Sequence, residues 1–104
     1  MTEALLEYRR ELDRLDDQIL EVLSRRLAIC REVASHKVEA GIPMMQTNRV
    51  AEVKARAVTQ GKDRGLSENF VLSLYEIVIE EACRIEDEII RNGTSARVKD
   101  CKQA

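Results

Sequence analysis

Aromatic residues are nearly absent: one Phe, two Tyr and no Trp in 104 positions. That leaves little for base stacking and rules out a core built on aromatic packing. Charge of one sign is lacking too. Seventeen Lys and Arg face nineteen Asp and Glu, for a formal net charge of −2, so the basic excess of a nucleic-acid binder is missing. Cysteines number three, Cys30, Cys83 and Cys101, with no CxxC pair and no Cys/His cluster. Neither a disulfide framework nor a metal site is expected from that spacing, and Cys30 and Cys83 read as core thiols. No apolar run reaches about 18 residues, and acids and arginines fill "MTEALLEYRRELDRLDDQ" from the start. A cytoplasmic protein with no membrane partner is the expectation. Strand alternation, internal repeats and a Gly-rich phosphate loop are likewise missing.

What is present is Leu, Ile, Val and Ala mixed with Glu, Arg and Lys, the composition of an all-α protein. Three helices account for the chain. The first is predicted from about Glu3 to Ala40, capped by Thr2 and stopped by Gly41 with Pro43 beyond. The second is predicted from about Asn48 to Gln60, ended by Gly61. A polar turn, "GKDRG", leads to Ser67 as cap of a third helix reaching about Arg91. Residues 1–91 then form one helical domain. The tail 92–104, "NGTSARVKDCKQA", has no apolar period and is expected to be disordered.

A first helix of that length spans about 57 Å, whereas a compact chain of this size has a radius of gyration of about 13 Å. Two shorter helices cannot cover such a rod, so a homodimer is expected, with the long helices packed on each other. The seam of the first helix reads Leu5, Leu12, Leu15, Ile19, Val22, Ile29 and Val33. Arg9, Arg26 and Lys37 fill or extend its gaps, and a charge on a packed face needs a partner or a bound anion. Arg26 and Lys37 are three turns apart, about 16 Å along the axis, and point nearly the same way. Arg9 lies about 25 Å from Arg26, too far to share a small ligand from the same helix. In an antiparallel dimer the partner subunit's Arg9 arrives from the other end.

The third helix has an apolar face of Val71, Tyr75, Val78, Ile79, Ala82 and Ile89, with Glu86 on nearly the same meridian. Its carboxyl is expected to be partly buried, with burial raising its pKa and nearby cations lowering it. Arg49 enters the first turn of the second helix, where the dipole favours an acid. Taken singly, each of these charges has a plain explanation as a snorkelling or ion-paired side chain. His36 reads as a surface residue, and Met44 and Met45 as packing in the connection. Periodicity alone stops at a dimeric helical protein with room for an anion site.

The stretches "RRELDRLDDQILEVLSRRLAICREVASHK", "GIP", "NRV" and "GLSENFVLSLYEIVIEEACRIEDEI" resemble the all-helical class of chorismate mutases over roughly residues 5 to 90. The resemblance implies an intertwined three-helix homodimer with two shared sites and a [3,3] Claisen rearrangement of a chorismate-class dicarboxylate, without a cofactor. It implies that Arg26 and the partner subunit's Arg9 bind carboxylates, that Lys37 reaches the ether oxygen and that Arg49 is a pocket residue. Where the best-known pattern has glutamine beside that oxygen, this chain has Glu86, which must be protonated to donate. Gln46, Val50 and Ala82 are further expected substrate contacts. Many relatives carry a glutamate at the Val50 position and a serine at the Ala82 position. With "MMQ" and "EEACRIEDEII", these departures look more like the family members that act on 4-amino-4-deoxychorismate. The same scaffold would serve an isochorismate–pyruvate lyase, and a non-catalytic helical dimer is the alternative from another class.

Overall fold

The computed structural model describes residues 2–42 and 47–93. Three helices follow in order, α1 (Glu3–Ala40), α2 (Thr47–Asp63) and α3 (Glu68–Gly93). No strand occurs among the described residues. Pro43, Met44, Met45 and Gln46 lie outside them, as do residues 94–104 with Cys101.

Capping chemistry sets the ends. The Thr2 hydroxyl accepts the Leu5 backbone N–H at 3.2 Å, satisfying one of the open donors of α1. At the far end Gly41 takes φ +69°, a left-handed conformation that suits glycine. Its N–H reaches the Val38 carbonyl and the Ile42 N–H reaches that of Lys37, the two bonds of a Schellman motif. The Ser67 hydroxyl accepts the Phe70 N–H at 3.3 Å and opens α3. That helix runs two residues past Arg91, so Asn92 and Gly93 belong to it and not to the tail.

The end of α2 departs from expectation. Gly61 does not stop the helix, which continues to Asp63. The same pair of Schellman bonds forms one turn later, from Gly65 to Lys62 and from Leu66 to Gly61, with Gly65 at φ +79°. Gly61 is there for space. A Cβ at that position would stand 2.7 Å from Val71 Cγ2, so its absence lets α2 close onto α3.

Both other helices pack on α3. Ala34 of α1, fully buried, meets Ile90, flanked by Val38 and Ile89. On the other side Ile79 and Cys83 of α3 hold Val50 and Val53 of α2. A Lys54–Glu76 pair at 3.0 Å ties α2 to α3 along the rim. The first half of α1 has no such support. Leu12, Ile19 and Val22 are 57, 56 and 58% exposed, and the molecule measures 59 × 26 × 17 Å. Its radius of gyration, 17.4 Å, exceeds the compact value of about 13 Å. No helix among the described residues is long and apolar enough to cross a membrane.

Candidate active site

The second half of α1, the start of α2 and the C-terminal half of α3 converge on a cavity of about 320 Å³. Arg26, Lys37, Arg49, Val50, Ala82 and Glu86, six of the residues singled out by sequence, all line it. Arg9 is exposed on the free half of α1 and is not among the lining residues. Gln46 falls outside the described residues.

Each side chain reaches the cavity for a local reason. Arg26 and Lys37 stand on one meridian of α1, three turns apart, and both are half-buried. Arg26 lies over the Tyr75 ring, its guanidinium 6.0 Å from the centroid, and its Nη1 donates to Cys30 Sγ at 3.9 Å. These contacts hold the guanidinium at the cavity wall by its flat face and one edge. Arg49 is exposed and makes only a loose 3.8 Å contact with Glu52 one turn on. An ion pair that long and that wet contributes little, so Arg49 keeps its freedom to turn toward an anion. No acid occupies the first turn of α2 to compensate it.

Among the described residues Glu86 is the one charged residue in the core, 6% exposed, and its Oε1 has no hydrogen-bond partner there. Burial pushes its carboxyl above the ordinary value of 4.5, Lys37 pulls it back, and the neighbouring Asp87 pushes it up again. The net direction is upward, toward a neutral carboxylic acid that donates a hydrogen bond. The "EEACRIEDEII" run thus divides into a buried stripe and a solvated acidic face, where Arg84 pairs with Glu81 and Glu88.

Cys83 is a core thiol as expected, whereas Cys30 is only half-buried. Cys83 is buried against Ile79, yet both Cys30 and Cys83 also line the cavity. Burial raises the Cys30 thiol above its ordinary pKa of 9.0, with Arg26 opposing, so it stands there as a neutral, polarisable wall and not a nucleophile. Cys30 lies four residues after Arg26, the helical spacing that signals such a contact. A second hollow, of about 490 Å³, opens toward the α2–α3 turn. It shares Arg26 and Arg49 with the first and adds Arg56 and Arg64, but it contains no carboxyl group. Of these two, the smaller cavity sets its cations beside a buried carboxyl, that of Glu86. It suits a compact dianion that needs positioning and a donor. Among the described residues no His, Cys, Asp or Glu cluster could hold a metal ion.

Comparison with known proteins places the chain beside helical enzymes of one family. The profile of the family "Chorismate mutase type II" matches residues 8–87. The chain is 42% identical over 86 residues to a 4-amino-4-deoxychorismate mutase of Streptomyces venezuelae, covering 83% of this chain and 84% of that one. It is 38% identical over 92 residues to the enzyme of the same name from Streptomyces pristinaespiralis, covering 88 and 71%. It is also 30% identical over 99 residues to the chorismate mutase of Methanocaldococcus jannaschii, covering 95 and 100%.

Proposed function

The chain belongs to the type II chorismate mutase family, and from that premise we propose that it rearranges 4-amino-4-deoxychorismate to 4-amino-4-deoxyprephenate. Its activity is that of an isomerase of the chorismate mutase type. The reaction breaks the ether C–O bond and forms a C–C bond within one molecule, so atoms and electrons balance without a cofactor. What the protein must supply is the folded, reactive conformer of the enolpyruvyl arm and stabilisation of charge growing on the ether oxygen.

In this reading Arg26 and the partner subunit's Arg9 take the two carboxylates through forked guanidinium contacts. Lys37 donates to the ether oxygen, and protonated Glu86 donates beside it. Arg49 adds positive charge at the mouth. The dimer reading rests on the uncovered seam of α1. A second copy, running antiparallel, brings its own apolar seam and its Arg9 to each site.

The substrate choice is carried by the wall formed by Val50 and Ala82, half-buried and buried in the cavity. Neither side chain bonds a hydroxyl, so this wall lacks the contact by which a site selects for one. The names of the two Streptomyces relatives supply the identity of the replacement, an amino group. The test is a side-by-side measurement of kcat/KM for 4-amino-4-deoxychorismate and chorismate with the purified protein. The expected outcome is a higher value for the amino compound. A clear preference for chorismate overturns the substrate choice and leaves the reaction class standing.

A further inference from the structure

One buried group has no part in the chemistry so far. Asp87 follows Glu86 on α3, and each carries a carboxyl oxygen shut off from solvent with no hydrogen-bond partner: Glu86 Oε1 and Asp87 Oδ1. A buried acceptor without a partner is costly, and more so when it bears charge. The two residues are successive on α3, so a negative charge at position 87 lies close enough to disfavour one on Glu86.

Charges around Glu86 pull in opposite directions. Arg26, Cys30 and Lys37 face the cavity from α1, Arg49 faces it from α2, and Cys83 lies on α3 itself. Of these cations Lys37 is the one that pulls Glu86 toward ionisation. An ionised carboxylate only accepts hydrogen bonds, and so does an ether oxygen, so the two would repel. Something must offset that pull if Glu86 is to act as a donor.

We propose that Asp87 is a positioning residue for the rearrangement, its charge keeping the proton on Glu86 so that Glu86 meets the ether oxygen as a donor. This rests on the reaction proposed above. The electrostatics agree in direction: Glu86 is held above 4.5 by burial first, against Lys37, and Asp87 adds to the rise. Asp87 touches no substrate in this scheme and acts through Glu86 alone. It is half-buried, so its effect is partly screened.

The experiment compares pH profiles of kcat/KM for the wild type, Asp87→Asn, Glu86→Gln and the double variant. In parallel, the Glu86 carboxyl carbon is titrated by NMR in the folded wild type and Asp87→Asn. Activity of the wild type falls as pH rises through the Glu86 pKa. In Asp87→Asn that falling limb moves to lower pH, costing about threefold or more in kcat/KM above the limb and nothing below it. The carbon titration moves in the same direction. Glu86→Gln flattens the limb, and Asn at position 87 then changes nothing further. Asp87→Glu, which keeps the charge, keeps the limb, and Asp87→Ser serves as the neutral variant if Asn folds poorly. A limb and a carbon midpoint that stay in place in a folded neutral variant overturn the proposal. So does an equal shift in the Glu86→Gln background. The carbon titration needs no turnover, so it decides the role of Asp87 separately from the substrate reading.

Discussion

The two halves of α1 share one helix, one spacing and one apolar seam, yet they meet different surroundings. From about residue 23 onward the helix packs on α3, Ala34 is fully buried, and Arg26 and Lys37 face the cavity. Before that point the same pattern of leucines and isoleucines points into solvent. Helical periodicity records that a face is meant to be covered; it does not record which chain covers it. The second half finds cover within the chain for Ala34 and Val38, while Ile29 and Val33 stay exposed. The first half stays uncovered among the described residues, and Arg9 sits in it.

The comparison breaks most sharply at Lys37. If the second half of α1 holds the chemistry, Lys37→Ala leaves the helical content and the assembly intact while kcat falls about 10²–10³-fold, the cost of removing a preorganised donor. Circular dichroism, sedimentation and a product assay check this together. Retained activity in the folded variant would remove the site from the cavity.

Leu12→Glu probes the first half. In an isolated chain Leu12 is 57% exposed, and a glutamate at such a site changes stability by about 0.5 kcal/mol or less. Under the cover of a second copy the same glutamate is a buried, unpaired charge. The expected result is a weakened dimer by sedimentation and a loss of activity of about tenfold or more at low protein concentration. An unchanged mass and rate would show that the free half of α1 needs no partner.

Much of this was legible in the sequence for a physical reason. Caps are local: Thr2, Gly41 and Ser67 act within one turn of where they stand, and all three end up in the expected roles. Gly61 misled because two different demands, a left-handed backbone and a close helix approach, call for the same residue. Only the position of Val71, ten residues on, tells them apart. The lining of the cavity was legible wherever it followed a helical meridian, as Arg26, Lys37 and Glu86 do. Cys30 on the cavity wall and the buried oxygen of Asp87 were not, because burial of one face against another helix is a long-range property.

Subunit mixing sharpens the comparison where it matters most, at Arg9. Arg9→Ala and Arg26→Ala each remove one carboxylate clamp, and each homodimer is expected to be crippled at both of its sites. Co-expressed with two different tags, the chains pair at random, and about half of the dimers carry one chain of each kind. If Arg9 serves the partner's cavity, such a mixed dimer has one site with both arginines present and one with neither. The mixture then recovers about a quarter of wild-type activity, and the doubly tagged fraction about half. If Arg9 acts only within its own chain, no pairing restores a complete site, and the mixed dimer stays at the average of its parents. The recovery depends on geometry alone, since no new residue enters the protein. It therefore separates a shared site from an arginine that merely supports the fold of its own helix.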